Sequence, residues 1–351
     1  MWTMNKRTLL WAAGTGLLVL TTALSGGCKK AQVDQTIDPA NGLDNSQVEV
    51  RIGYFANLTH AQAVLGMASG DFAKAVAPAK VSTKVFNAGP SLTEALFAGE
   101  IDLGYVGPGP AIAAFTRSKG AGLRIVGGAA ANGVVIVARK DSGITTLADL
   151  VGRKLATPQL ANTQDIAARH YLQSELKQTD LSNVMPVANA EQAALMDRGQ
   201  IDAAWVPEPW GAVLMGRTGA KLIAQEKDLW PDKQVATTVI VASPRFLKEH
   251  PDLVRKLLVA HQQWTVRLQA GDPAVVAQLK DALFALTKKQ FPPGVIDGAL
   301  KRVTFTNDPL PETLATMAQW TYETGFAKEK PDLKGLVDAD FAGTIATEPG
   351  K

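Results

Sequence analysis

A twelve-residue pattern occurs twice in the chain, one hundred residues apart. Gly99-Glu-Ile-Asp-Leu-Gly-Tyr-Val-Gly-Pro-Gly-Pro110 aligns with Gly199-Gln-Ile-Asp-Ala-Ala-Trp-Val-Pro-Glu-Pro-Trp210, so that Gly99/Gly199, Ile101/Ile201, Asp102/Asp202, Tyr105/Trp205 and Val106/Val206 correspond. Each copy follows a stretch with helical spacing, residues 92–98 and 191–198, which a Gly stops at the position after the helix where a left-handed residue is favoured. A short apolar strand and a Gly/Pro loop come next. A helix, strand and loop repeated in this order predict two similar α/β units. Ligands of open α/β sheets lie beyond the carboxyl ends of the strands. The loops 107–110 and 207–210 are therefore expected to face each other across one cleft, while Asp102 and Asp202 stabilise the turns rather than meet a ligand.

The 351 residues are 46% hydrophobic and 20% charged, enough for two compact units and unlike a disordered chain. At the N-terminus, Lys6 and Arg7 precede an apolar run at 9–20 that is too short for a membrane span and reads as a signal peptide over residues 1–27. The run ends in Leu24-Ser-Gly-Gly-Cys28, which resembles a bacterial lipobox, although Ser25 stands three residues before Cys28 where Leu is usual. Cys28 is the single cysteine and is expected to carry a lipid anchor, with residues 28–47 as a polar tether. One cysteine leaves no intramolecular disulfide, thiolate cluster or cysteine nucleophile in the body. Loss of Lys6 and Arg7 with the signal peptide lowers the formal charge from +3 to +1. A nearly neutral body has no electrostatic reason to bind nucleic acid.

The remaining chain alternates strand and helix. Residues 48–54 form a first strand. Thr59 is a candidate cap for a helix at 61–68, and Pro90 sits at the first position of the helix entering the first motif copy. Residues 133–139 and 237–243 are two β-branched runs of the kind buried on both faces, expected to carry the chain into a second lobe and back as a paired hinge. Between them Asn162 or Thr163 caps a helix, and Asn189-Ala-Glu-Gln192 resembles a capping box. Amphipathic helices at 251–268, 273–286, 293–300 and 310–326 are expected to pack on the first lobe. The predicted division is lobe one at 48–138 and 239–351, and lobe two at 139–238.

Several of these segments resemble the periplasmic substrate-binding proteins of ABC importers for nitrate, sulfonates and taurine, which share a fold with thiamine-precursor binders. The matching segments are Val50-Arg-Ile-Gly-Tyr54, Phe86-Asn-Ala-Gly-Pro-Ser91, Thr145-Thr-Leu-Ala-Asp-Leu-Val-Gly-Arg-Lys154 and both motif copies, the second with Glu208-Pro209 behind it. The resemblance covers about residues 48–330. It implies a type II periplasmic-binding-protein fold, with each lobe a mixed sheet flanked by helices and with ligand held between the lobes. Carried over residue by residue, the implied ligand-binding positions are Asn57, Leu58, Thr59, His60, Gly89, Pro90, Ser91, Gly107, Pro108, Gly109, Asn132, Gly133, Asn162, Thr163, Gln164, Trp205, Glu208 and Trp210.

No arginine falls in those loops, which suits a small anion held by helix N-termini, hydroxyls and amides. The same residue types also serve as ordinary caps and turns. Glu208 offers a carboxylate to the amine of an aminosulfonate such as taurine, or is a solvated loop acid. Trp205 and Trp210 are candidate cleft walls. The resemblance implies no cofactor, no metal site, a permease as partner, and a monomer whose lobes close on the ligand. Enzymes share this fold, but no Gly-x-Ser-x-Gly or His-Glu-x-x-His pattern occurs, and nitrate, aromatic acids and thiamine-precursor pyrimidines remain alternative ligands.

Overall fold

In a computed structural model, residues 45–346 are described; the signal-peptide reading, Cys28 and most of the tether lie outside them. The chain builds β1 (Glu49–Phe55), β2 (Lys80–Phe86), β3 (Leu103–Val106) and β4 (Arg124–Asn132) in one sheet. It then lays down β5 (Val134–Ala138), β6 (Leu155–Thr157), β7 (Val184–Pro186), β8 (Ala203–Pro207) and β9 (Lys221–Gln225) in a second. It returns to the first sheet with β10 (Ala236–Ala242) and β11 (Val303–Phe305), giving the orders β11-β4-β10-β3-β1-β2 and β7-β6-β8-β5-β9. Both sheets are mixed: β1 pairs parallel with β2 and β3, β6 pairs parallel with β7 and β8, and β10 and β5 run antiparallel to their neighbours.

The β-branched runs are central strands, as their composition predicts. Every residue of β5 and of β10 is buried. They are not the crossings themselves, however. The chain changes sheet at Asn132 and Gly133, which adopt φ of 61° and 71°, and returns through residues 226–235. The expected boundary at 138/139 therefore falls at the end of β5, and the one at 238/239 falls inside β10. Uninterrupted apolar sequence marks a strand with sheet on both sides, and it carries no information about which sheet that is.

The helices are α1 (Ala61–Ala68), α2 (Asp71–Val76), α3 (Gly89–Phe97), α4 (Pro108–Arg117), α5 (Thr163–His170), α6 (Asn189–Asp197), α7 (Trp210–Thr218), α8 (Pro244–Glu249), α9 (Pro251–Gln269), α10 (Pro273–Thr287), α11 (Val295–Leu300), α12 (Pro311–Glu323) and α13 (Ala339–Ala346). They cover both faces of each sheet. Along α9, Leu253, Val254, Leu257, Leu258, His261, Trp264 and Leu268 are buried at helical spacing against α1, α2 and the first sheet. Not all C-terminal helices stay with that sheet: α11 packs on α7, and α12 packs on both α4 and α5.

The repeated motif is built alike in both places. Gly99 and Gly199, with φ of 69° and 68°, end α3 and α6 in the left-handed conformation that a Cβ disfavours. Asp102 pairs with Arg51 at 2.7 Å, and Asp202 pairs with Arg139 at 3.0 Å, each tying the start of its strand to a neighbouring strand. Two capping expectations need correction. Thr59 lies within a 3₁₀ turn, Leu58–His60, and the residue before α1 is His60, with no side-chain cap. Asn189 is the first residue of α6 rather than its cap, and Ala188 before it offers no side-chain acceptor.

Candidate functional site

The predicted loops meet between the two sheets. Phe55, Asn57, Thr59, His60, Gly89, Gly107, Pro110, Asn162, Thr163, Gln164, Pro207 and Thr237 line one cavity of about 20 Å³, the space of roughly one water. Eight of them are among the implied ligand-binding positions, and Pro110 and Pro207 belong to the two motif loops. Its lining is contributed by the starts of α3 (Gly89), α4 (Gly107, just before Pro108) and α5 (Thr163, Gln164). The free N–H groups and dipoles at such starts favour an anion. No Lys, Arg, Asp or Glu lines the cavity.

The polar side chains at this point are oriented by local bonds. Asn162 caps α5 by accepting from the Asp165 N–H at 2.8 Å, and its amide donates to Gln164 Oε1 at 3.1 Å. That leaves the Gln164 NH₂, a donor, as the unspent end of the side chain. Asp165 is fully buried and holds the loop in turn, accepting from Thr157 Oγ1 at 2.8 Å, the Ala161 N–H at 2.9 Å and Arg169 Nε at 3.0 Å. His60 Nδ1 accepts the Phe55 N–H at 3.3 Å, so the neutral ring carries its proton on Nε2. Burial lowers the His60 pKa to about 3. The imidazole therefore presents a neutral N–H donor across the physiological range.

The two walls touch. Gly109 N–H donates to Thr163 Oγ1 at 3.2 Å, Trp210 Nε1 donates to Asn57 Oδ1 at 2.7 Å, and Leu58 N–H donates to the Glu208 carbonyl at 3.1 Å. Each bond joins the first-sheet half to the second, so the arrangement is a closed one. A Cβ on Gly107 would lie 2.2 Å from Thr163 Oγ1, and one on Gly109 would lie 3.1 Å from the Thr163 Cα. Glycine at these positions is what lets α4 and α5 approach so closely.

Other sequence-predicted residues sit beside the cavity or away from it. Pro90, Ser91, Pro108 and Gly109 belong to the first turns of α3 and α4, and Ser91 Oγ donates to the Ala88 carbonyl rather than into the cleft. Leu58 is core. Asn132 uses its amide on Thr304 Oγ1 and accepts the Val235 N–H, which, with Gly133, makes it part of the crossover. Trp210 is a buried interlobe tie bordering a neighbouring pocket.

Two expectations fare differently. Trp205 is 1% exposed, is not among the cavity-lining residues, and donates its indole N–H to Glu226 Oε2 at 2.6 Å in the core beneath α5. Glu208 is neither a solvated loop acid nor among the cavity-lining residues. Its carboxylate is fully buried, with Oε1 2.6 Å from Arg302 Nε and Oε2 accepting the Ala212 N–H at 3.0 Å. Burial raises its pKa, and Arg302 and the Ala212 N–H oppose that rise. Arg302 was not legible as a partner because 94 residues separate the two. Thr237 was overlooked as well; its hydroxyl donates to the Asn132 carbonyl at 2.5 Å, and the available signal was a Thr pair opening an otherwise apolar strand.

Two mixed α/β sheets with a donor-lined cleft between them define a solute-binding protein of the periplasmic-binding-protein fold. The chain belongs to the NMT1-like family, whose model matches residues 44–280. It is similar to the periplasmic aliphatic sulphonate binding protein SsuA of Escherichia coli, with 25% identity, 84% of this chain and 99% of that one covered, and a TM-score of 0.66. The alkanesulfonate-binding protein SsuA of Xanthomonas axonopodis pv. citri, solved with MOPS bound, shares the fold at 22% identity and a TM-score of 0.69 over 83% of this chain and 98% of that one. The taurine-binding periplasmic protein of Escherichia coli K12 is 25% identical over 210 residues, 59% of this chain and 62% of that one.

Proposed function

We propose that the protein is the solute-binding component of an ABC importer and captures a small organosulfonate between its two halves. One observation carries this reading: three helix starts, the neutral His60 donor and the Asn162/Gln164 amides converge on a cavity lined by no charged side chain. Such a site holds a strong-acid oxyanion through fixed dipoles and N–H donors, without a cation to desolvate. The names of its relatives point to the same ligand class. An aliphatic sulfonate suits the cleft better than taurine, because the one carboxylate expected to read an amine, Glu208, is spent on Arg302 and Ala212.

Binding follows from the interlobe contacts. The cavity of about 20 Å³ holds about one water, so a sulfonate enters only when the halves part. Bridging α3 and α4 on one side and α5 on the other, it draws them back toward the closed arrangement about 132–133 and 226–235 and presents one conformation to a permease. Export to the periplasm and tethering through Cys28 complete the reading.

A thermal-shift panel of alkanesulfonates, taurine, sulfate, nitrate, aromatic carboxylates and pyrimidines tests it. A ligand at a hundred times its dissociation constant stabilises the protein by about 2.7 kcal/mol, a shift of a few degrees. Alkanesulfonates are expected to give the largest shift. A shift with pyrimidines or aromatic acids alone would overturn the oxyanion reading, and one with nitrate alone would narrow it to an inorganic anion.

A further inference from the structure

Trp205 lines a second cavity that shares no lining residue with the cleft. It has a volume of about 310 Å³, near the lower end of the roughly 300–1,000 Å³ range of small-molecule pockets, and its walls include Trp205, Trp230, Trp320, Tyr171, His170 and Glu226. Trp230 and Trp320 lie 4.3 Å apart between ring centroids, and His170 stacks on Trp320 at 4.3 Å and 14°. Tyr171 stands 6.0 Å from Trp205.

At this aromatic wall sits a carboxylate without a countercharge. Glu226 is 1% exposed, and its two oxygens accept the indole N–H groups of Trp205 at 2.6 Å and Trp230 at 3.3 Å. No cationic side chain pairs with it among the described residues. Burying an unpaired carboxylate is costly, and two indole donors fill only half of its roughly four lone-pair sites. A second acid, Glu175, lines the same cavity from its exposed position, and no Lys or Arg does. An anion finds no cationic Lys or Arg here, and the Trp205 and Trp230 indole donors are already spent on Glu226. A cation meets carboxylate charge within a wall of Trp205, Trp230, Trp320 and Tyr171, the residue types from which aromatic cages for quaternary ammonium groups are built.

We propose that this pocket is a second binding site, separate from the cleft, for a small organic cation of the quaternary-ammonium class. Its walls come from α5 and the turn continuing it, from β8, from the segment that returns the chain to the first sheet, and from α12. The ligand thus touches the returning segment and the one helix packed on both α4 and α5. Burial lifts the Glu226 pKa to about 7, against the two indole bonds, which fits a carboxylate lacking its cation.

Calorimetric titration with choline, and with dimethylbutanol in which carbon replaces the nitrogen, tests the assignment on the purified protein. Choline is expected to bind saturably and the uncharged isostere at least tenfold more weakly. Glu226→Gln, which keeps the side-chain shape, and Trp320→Leu, which leaves the Glu226 hydrogen bonds alone, are each expected to weaken choline by tenfold or more. No saturable binding, equal binding of the two probes, or full affinity in both variants would overturn the proposal. Displacement of choline by excess propanesulfonate would place it in the cleft and overturn the proposal equally.

Discussion

Gly109→Ala separates closure from folding. In the closed arrangement the new Cβ would lie 2.9 Å from Ile166 Cδ1 and 3.1 and 3.2 Å from the Thr163 Cα and N. Ile166 can rotate, but the Thr163 backbone cannot move without shifting the start of α5. The two helices must part by a few tenths of an ångström, which stretches the 3.2 Å bond from Gly109 N–H to Thr163 Oγ1 toward the limit of hydrogen bonding. Losing that bond costs about 1 kcal/mol, and overpacking at a tight contact about 1–3 kcal/mol more. Both costs fall on the closed form alone. Position 109 is in the first turn of α4, where Ala fits the helical backbone at least as well as Gly whether the halves are open or closed. The expected result is a loss of ligand affinity of about 3 kcal/mol, roughly a hundredfold, with the melting temperature of the free protein unchanged or raised. Isothermal titration with the best sulfonate of the panel, beside calorimetric melting, reads both quantities. Affinity within threefold of the parent would refute the argument that α4 and α5 meet on closure, and a lower melting temperature would show that the clash belongs to the fold.

The buried pair of Glu208 and Arg302 gives a stability prediction. Glu208→Gln strands a guanidinium that is only 18% exposed and is expected to cost about 3 kcal/mol in urea unfolding, most of it restored by adding Arg302→Met. A single variant as stable as the parent contradicts the pairing. Glu226 gives a pH prediction with a definite sign. Its folded pKa of about 7 lies above the unfolded value, so it favours the fold fully below about pH 4.5 and loses that contribution as pH rises to 7. Relative to the parent, Glu226→Gln should therefore gain about 1.4 kcal/mol of stability per pH unit across that window and level off above it; a pH-independent difference contradicts the assignment. Cys28→Ser is expected to move the protein from the membrane fraction to the soluble periplasmic fraction, and unchanged membrane association would contradict lipid anchoring at that residue.

The duplicated motif carried most of what the sequence disclosed. Gly99 and Gly199 name their own backbone conformation, and a Gly/Pro loop after an apolar strand names the end of the sheet where a ligand sits, so the cleft was legible without any long-range information. The helix starts at Pro90 and Thr163 were legible for the same reason, since proline and cap chemistry act within one turn. Partners across the chain were not. Glu208 reads as a partner for a ligand amine or as a solvated loop acid until Arg302 is brought beside it, and Trp205 reads as a cleft wall until the strand fixes which face it takes. Strand alternation decides that face, and β8 is buried throughout, so no hydrophobic pattern distinguishes its two sides. The hinge was misread for a related reason. Two apolar runs look alike in sequence, yet one is central to each sheet, and the turn between sheets lies in Asn132 and Gly133, the two residues with positive φ just before β5.

The central claim is that a sulfonate is held between the halves by neutral donors. Isothermal titration of propanesulfonate at pH 8 and at pH 5 tests it most directly, because His60, with its pKa near 3, stays an uncharged donor at both values. The account predicts one-to-one binding with the same affinity at the two pH values. Absence of binding, or affinity that climbs as pH falls through 6 as a histidinium contact would require, contradicts it.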